Sequence, residues 1–121
     1  MRLVDTSVWI DHLRGGNAKL KALLSNVAVL IHPFVIGELA CGNLHNRSQI
    51  LNLLCDLPKS RVAADKEVMY FIEQNALMGR GIGYVDAHLL ASVSLSSPAR
   101  FWTVDRKLEN VASDLGLAGA E

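Results

Sequence analysis

Short apolar segments alternate with longer segments of helical period along this chain, and that alternation limits the fold more than any other feature. The apolar segments lie at residues 1–5, 27–31 and 101–104, and each has the length of a strand. The first ends in Asp5, and the last is followed at once by Asp105. Strands that alternate with helices favour a mainly parallel sheet flanked by helices. The sequence therefore predicts an α/β domain.

The helical segments are recognised by apolar residues that recur every three or four positions. Their starts are expected where a capping side chain or a proline precedes that pattern. These starts are Thr6 or Ser7, Asn17, Pro33, Ser48, Asp65 and Tyr84. The last helix is expected to follow Asp105 and to end before Gly116. Helices should therefore occupy most of the chain between the predicted strands.

The length of 121 residues fits one domain, and we expect residues 1–121 to form it. Half of the residues are hydrophobic, which excludes a disordered protein and allows a core without disulfide bonds. No apolar run approaches the roughly 18 residues of a membrane-spanning helix, and the first residues do not resemble a signal peptide. We therefore expect a soluble cytoplasmic protein that does not associate with membranes.

Cysteine spacing and net charge also bear on function. Cys41 and Cys55 are expected to be small buried apolar residues, because their spacing fits neither a disulfide framework nor a zinc site. The 12 basic and 12 acidic residues give a formal net charge of zero. Proteins that bind nucleic acids through phosphates usually carry an excess of positive charge. If this protein binds nucleic acid, its basic residues must therefore be concentrated on one part of its surface.

Four of the 12 acids occupy positions where a solvated carboxylate is not expected. Asp5 and Asp105 follow predicted strands, although each could instead cap the helix that begins there. Glu38 and Asp86 lie among apolar residues at helical spacing, where an unpaired buried charge is strongly unfavourable. For these two, a buried ion pair or a second capping residue is the alternative. If the four acids meet in the fold, their oxygens would suit Mg²⁺ or Mn²⁺ rather than zinc.

The other acids lie in polar, mixed-charge segments and are interpreted as solvated surface residues. These are Asp56, Asp65, Glu67, Glu73, Glu109, Asp114 and Glu121, while Asp11 is either a surface acid or a neighbour of the four. Trp9 and Trp102 have apolar flanks and are expected to pack in the core or at a dimer interface. The four histidines show no spacing that indicates a base or a ligand set. The candidate chemistry is therefore concentrated in four carboxylates.

Each of the four acids lies in a longer motif. The motifs are VDTSVWIDHLR at 4–14, PFVIGELACG at 33–42, GYVDAHLLA at 83–91 and WTVDR at 102–106. Together they resemble the PIN-domain family, and more narrowly the VapC-type toxins of bacterial toxin–antitoxin pairs. The likeness spans essentially the whole chain, with the motifs in the order and at the spacing typical of the family.

The resemblance implies a three-layer α/β/α fold and a metal-dependent endoribonuclease. It implies that Asp5, Glu38, Asp86 and Asp105 form a catalytic acidic cluster that binds one or two Mg²⁺ or Mn²⁺ ions. It also implies a homodimer, an RNA substrate and neutralisation by a small cognate antitoxin of the VapB type.

Three hydroxyl residues match family positions beside the acids. Thr6, Ser7 and Thr103 are expected to hydrogen-bond the metal ligands, with helix capping as the alternative. Lys107 departs from the pattern, because it stands where family members often have another acid. This departure argues against a fully ligated second metal.

Substrate contacts are expected from basic residues near the acidic cluster. These residues are Arg14, Arg80, Arg106 and Lys107, although each alone could be a solvated surface cation. The expected reaction is hydrolysis of an RNA phosphodiester by metal-activated water, which Asp86 or Glu38 would orient.

Two other functions stay open at the level of sequence. A phosphohydrolase could use Asp5 as a covalent nucleophile, but that chemistry usually needs a second aspartate where this chain has Ser7. A PIN-like module could bind RNA or a protein without cleavage, but it would have no need for four carboxylates in apolar surroundings. The nuclease is therefore the preferred hypothesis.

Overall fold

The computed structural model describes residues 1–119, and Glu121 lies outside this range. Within it the chain forms three strands and seven helices. The strands are β1 (Arg2–Val4), β2 (Val29–Leu30) and β3 (Arg100–Trp102). The helices are α1 (Thr6–Gly15), α2 (Ala18–Ser25), α3 (Pro33–Ala40), α4 (Arg47–Cys55), α5 (Asp65–Gln74), α6 (Tyr84–Leu95) and α7 (Arg106–Asp114). None of these helices is long and apolar enough to cross a membrane.

The three strands form one parallel sheet in the order β2–β1–β3. Leu3 of the central strand lies opposite Leu30 on one side and Phe101 on the other. Isolated parallel bridges also pair Phe101 with Ala118 and Ile31 with Lys59. With the seven helices flanking this sheet, the predicted α/β class and its three-layer arrangement are confirmed.

The direction of the strands decides where polar groups can gather. Leu3, Val4 and Phe101 are fully buried, as expected for a parallel sheet that helices cover on both faces. Because the strands are parallel, their carboxyl ends meet at one edge of the sheet. Asp5 and Asp105 follow two of these ends, and ligands of open α/β sheets generally bind beyond such an edge.

The second predicted strand is shorter in the structure than the apolar run that indicated it. Only Val29 and Leu30 of the segment 27–31 are in β2, and both are buried. Val27 is 66% exposed and has a φ of 52°, so it belongs to the turn after α2. A continuous apolar run does not reveal where a turn ends, because turn residues can also be apolar.

The prediction for the two cysteines was wrong. Cys41 and Cys55 are both exposed free thiols. Cys41 caps the C-terminus of α3 and Cys55 is the last residue of α4, where neither side chain faces the core. In contrast, Trp9 and Trp102 are 4% and 5% exposed and belong to the core, as predicted.

Three helix starts differ by one or two residues from those predicted. The N-cap residues of α1, α4 and α5 are Asp5, Asn46 and Ala64. Ala64 has no capping side chain, and its N–H donates instead to the carboxylate of Glu67 at 2.8 Å. Asn17 does cap α2, because its Oδ1 accepts from the Leu20 N–H at 3.0 Å.

A buried histidine joins α3 to α6. His32 is fully buried; its Nδ1 accepts from the Phe34 N–H at 3.0 Å, and its Nε2 lies 3.1 Å from Ser92 Oγ. The Ala63 N–H also donates to this hydroxyl at 3.1 Å. Burial lowers the pKa of His32 to about 4, and His88 contributes in the same direction. His32 is therefore a neutral structural residue that caps the helix carrying Glu38.

Candidate active site at the carboxyl edge of the sheet

Asp5 is the most rigidly held of the four candidate acids. It is 6% exposed, and its Oδ2 accepts from Ser7 Oγ at 2.7 Å and from Thr103 Oγ1 at 2.8 Å. Although Asp5 is the N-cap residue of α1, its side chain makes no capping hydrogen bond. A carboxylate that does not cap its own helix is available for other chemistry at the end of β1.

The hydroxyls of Ser7 and Thr103 connect the ends of β1 and β3. They lie 3.2 Å apart, and both contact the same oxygen of Asp5. The Val104 N–H donates to Ser7 Oγ at 3.2 Å, and the Asp105 N–H donates to Thr103 Oγ1 at 3.0 Å. These bonds fix the position of Asp5 relative to the backbone of Asp105.

Glu38 lies on α3 and is exposed, so the expectation of a carboxylate removed from water is wrong for this residue. The core face of α3 is formed by Val35 and Leu39, which leaves Glu38 on the other side. Its Oε1 accepts a hydrogen bond from Thr6 Oγ1 at 2.6 Å. This bond joins the start of α1 to α3.

Asp86 is the third residue of α6, and its Oδ2 accepts from the Gly83 N–H at 3.0 Å. Partial burial raises the pKa of Asp86, and the Gly83 N–H opposes this rise. The negative charges of Asp5, Asp105 and Glu38 raise the pKa further. The three other acids are therefore close enough to act on Asp86, although they come from distant parts of the chain.

Asp105 has the capping role that the sequence left open. It is the N-cap residue of α7, is exposed, and accepts from the Leu108 N–H through Oδ1 at 3.0 Å. Capping uses one oxygen of the carboxylate, so this role does not prevent the other oxygen from binding a ligand.

The four acids share an electrostatic neighbourhood but do not form a closed cage. Within residues 1–119 no three His, Cys, Asp or Glu side chains are arranged to hold a metal ion. Each of the four instead hydrogen-bonds a neighbouring hydroxyl or N–H. The atoms that these side chains offer to a metal are all carboxylate oxygens, and the charges of the other three acids disfavour the ionised form of Asp86. The residue types therefore fit a hard cation such as Mg²⁺ or Mn²⁺.

The four candidate substrate-binding cations differ in their surroundings. Arg14 lines a pocket that also includes Glu38. Lys107 packs across Gly81 in the turn before α6, where an added Cβ would lie 2.8 Å from Lys107 Cδ. Arg106 is exposed at the first position of α7. Arg80 forms an ion pair with Asp114 at 2.7 Å, which makes it the least available of the four.

Two features of this region have no signal in the sequence. His88 Nε2 lies 2.9 Å from Asp65 Oδ1, which also accepts from the Tyr84 hydroxyl at 3.2 Å, so one histidine does have an acidic partner. The loop residues 43–45 line the pocket beside Glu38. Both contacts depend on how the helices pack, and neither follows from spacing along the chain.

Comparison with known proteins identifies the family. The PIN domain family matches residues 2–114, which include all four acids. This chain belongs to the PIN-domain family. The chain is also 46% identical to proteins named ribonuclease VapC32 from two strains of Mycobacterium tuberculosis, CDC 1551 / Oshkosh and ATCC 25618 / H37Rv. Each match covers 100% of this chain and 98% of the relative, so the narrower likeness to VapC-type proteins is confirmed.

The raised pKa of Asp86 predicts that its ionised carboxylate destabilises the folded chain. Replacing Asp86 by asparagine removes the charge and keeps an oxygen that can accept from the Gly83 N–H. We expect Asp86→Asn to raise the melting temperature at pH 7 by roughly 2–4 °C, because burial and three negative charges disfavour the ion. Thermal unfolding followed by circular dichroism in the presence of EDTA measures this change.

Asp56→Asn is the matched control, because Asp56 is an exposed acid outside the cluster. The control should change stability by no more than about 0.5 kcal/mol, as is usual for surface substitutions. A melting temperature of Asp86→Asn below that of the wild type would show that the charge of Asp86 is compensated in the folded protein.

Proposed function

We propose that the chain is an endoribonuclease toxin that hydrolyses RNA phosphodiester bonds with the help of Mg²⁺ or Mn²⁺. The observation that carries this proposal is the placement of Asp5 and Asp105 at one edge of the sheet, where Thr103 hydrogen-bonds both. The negative charges of Asp5, Asp105 and Glu38 also raise the pKa of Asp86. Relatives at 46% identity over the full length are named ribonucleases, which supports RNA as the substrate. Carboxylates that repel one another at one edge of a sheet are typical of a cation-binding catalytic site.

In this proposal, Asp5, Glu38, Asp86 and Asp105 hold the metal. Bound there, a divalent cation would polarise the phosphoryl oxygens and activate the attacking water. Asp86 or Glu38 would orient the attacking water by accepting a hydrogen bond from it. Ser7, Thr103 and Thr6 keep the carboxylates in place through the hydroxyl contacts described above.

The substrate is held through its phosphates by the basic residues around the cluster. Arg14, Arg106 and Lys107 are the main candidates, and Arg80 would first have to leave Asp114. Their charges offset the acids locally, so a net charge of zero for the whole chain is compatible with RNA binding. Because Lys107 adds a positive charge where another acid would help a second ion, one metal ion is favoured over two.

We further propose that a small antitoxin of the VapB type neutralises the chain and that the chain forms homodimers in the cytoplasm. Both proposals rest on the full-length likeness to VapC proteins. Antitoxin binding would explain how a cell tolerates a ribonuclease of this kind.

The two alternative functions are less well supported. Asp5 is buried and receives two hydroxyl hydrogen bonds on one oxygen, which lowers its reactivity as a covalent nucleophile. Ser7 donates to Asp5, so it does not replace the second aspartate of a phosphohydrolase. A module that binds RNA or protein without cleaving it would have no need for three further carboxylates whose charges act on Asp86.

Metal dependence tests the proposed function directly. The purified chain with end-labelled RNA should cleave in Mg²⁺ or Mn²⁺ and lose at least about 100-fold in rate in EDTA, because the acids alone cannot stabilise the phosphoryl charge. Denaturing gels measure the rate, and adding metal back should restore it.

The chemistry of the new RNA ends gives an independent check. Attack by water that breaks the bond to the 3′-oxygen leaves a 5′-phosphate and a 3′-hydroxyl. Attack by the ribose 2′-hydroxyl instead expels the 5′-oxygen and leaves a cyclic phosphate. Cleavage that continues in EDTA or yields cyclic phosphate ends would contradict the proposal. A phosphoenzyme formed with a small phosphate ester would instead support the phosphohydrolase.

A further inference from the structure

A pocket of about 420 Å³ lies directly beside Glu38. It lies between α1, the end of α3 and the loop that follows α3, and Glu38 forms part of its wall. Four apolar side chains line it, namely Ile10, Leu13, Leu39 and Leu44. The polar side chains that line it are Arg14, Asn43 and His45. This volume lies within the range of roughly 300–1,000 Å³ that is usual for sites binding small organic groups.

The loop that carries Asn43 and His45 is held by the first residue of α4. The guanidinium of Arg47 donates to the carbonyl oxygen of Ala40 at 2.5 Å and to that of Gly42 at 3.2 Å. These two bonds fasten the end of α3 to the start of α4 across the loop. Asn43 and His45 are therefore presented from a loop whose ends are held in place, as discrimination between similar ligands requires.

We propose that this pocket binds one unpaired base of the RNA, adjacent to the phosphodiester that is cleaved. The proposal rests on the proposed ribonuclease function and deepens it, because it names the residues that select the cleavage site. Apolar walls suit the flat faces of a base, while Asn43 and His45 carry donors and acceptors for its edge. Arg14 provides a positive charge for the phosphate of the same nucleotide.

Continuity with the acidic cluster favours a nucleotide over other occupants. Of the four acids, Glu38 lines this pocket, so a base bound here places its phosphate at the Glu38 side of the acidic cluster. An apolar peptide side chain would match the four apolar residues but would leave Arg14, Asn43 and His45 without partners. Desolvating such groups without compensation is unfavourable, and a base edge provides the compensation.

Cleavage of an RNA library with random sequence tests the proposal. The wild type in Mg²⁺ should prefer one base at a single position beside the cleaved bond, with the discrimination of roughly 5- to 100-fold that edge contacts provide. Asn43→Ala and His45→Ala should each reduce this preference to about 2-fold or less, while cleavage continues. Asn52→Ala on α4 is the matched control, because Asn52 is exposed and does not line the pocket, and it should keep the wild-type preference.

Melting curves first establish that the Asn43→Ala and His45→Ala variants are folded. A preference that persists unchanged in both pocket variants, or a wild type that cleaves without any preference, would overturn the pocket proposal and leave the ribonuclease function standing. A wild type that cleaves no RNA in Mg²⁺ or Mn²⁺ would overturn the proposed function and this inference with it. Variants that keep the preference but lose binding of a copurifying protein would assign the pocket to that protein instead.

Discussion

Asp5→Asn should lower the rate of RNA cleavage at least about 1,000-fold while leaving the fold intact. This loss corresponds to about 4 kcal/mol of transition-state stabilisation, the scale expected for removal of a charged ligand from a catalytic cation site. The amide oxygen can still accept from Ser7 and Thr103, so the contacts that join the ends of β1 and β3 are retained. The variant therefore separates the charge of Asp5 from its structural role.

Asp11→Asn is the matched control for this experiment. Asp11 lies on the same helix, is exposed, and accepts only from the Asn17 side chain among the contacts described. The control should keep the wild-type rate within about 2-fold and have a similar melting temperature.

Rates are measured on the purified proteins, and RNA ends are sequenced after brief expression of each variant in cells. New ends should appear with the wild type and Asp11→Asn, and should be absent with Asp5→Asn. Wild-type cleavage by a folded Asp5→Asn would show that the reaction does not depend on this carboxylate, and the site assignment would be wrong.

Acidification should remove about 3 kcal/mol of stability through His32 alone. Its pKa is about 4 in the folded chain, compared with the usual 6.5 in an unfolded one. Between these values the unfolded chain binds more protons than the folded chain. The stabilisation is therefore complete above about pH 6.5, falls as the pH decreases, and is lost near pH 4. The physical cause is burial of the imidazole, and His88 adds to the effect in the same direction.

Urea unfolding at a series of pH values from 7 to 4 measures this effect. His32→Asn should be less stable than the wild type at pH 7, because it loses the contact with Ser92, but asparagine keeps an N-cap acceptor for Phe34. Its stability should fall less steeply with decreasing pH, so the two curves should converge toward pH 4. His45→Gln, which replaces an exposed histidine, should follow the wild-type curve. Parallel curves for His32→Asn and the wild type would exclude His32 as the source of the pH dependence.

The sequence was most informative where a local pattern has a local physical cause. Alternation of apolar strands with helical periods predicted the parallel sheet, because strands covered on both faces must be apolar. The side chain of Asn17 indicated the start of α2, since capping involves only neighbouring residues. The motifs around the acids predicted the PIN family, whose match covers residues 2–114.

The sequence was least informative where exposure depends on packing. Glu38 has apolar neighbours at helical spacing, but Val35 is the one of them that is buried, whereas Cys41 and Glu38 itself are exposed. The prediction that Cys41 and Cys55 are buried was wrong for a related reason. Both lie at the ends of helices, where the polypeptide leaves the core. Val27 belongs to an apolar run but takes part in a turn.

By itself, then, the sequence determined the α/β class, the family and the identity of the four carboxylates of the candidate site. Only the tertiary structure decided how they are held. Ser7 and Thr103 are 96 positions apart, yet their hydroxyls meet on one oxygen of Asp5 because β1 and β3 are parallel neighbours. The same packing of α1 against α3 places Glu38 beside a pocket whose polar residues lie in a loop without any motif. Contacts between distant segments arise from the summed packing of the core, which no local pattern along the chain encodes.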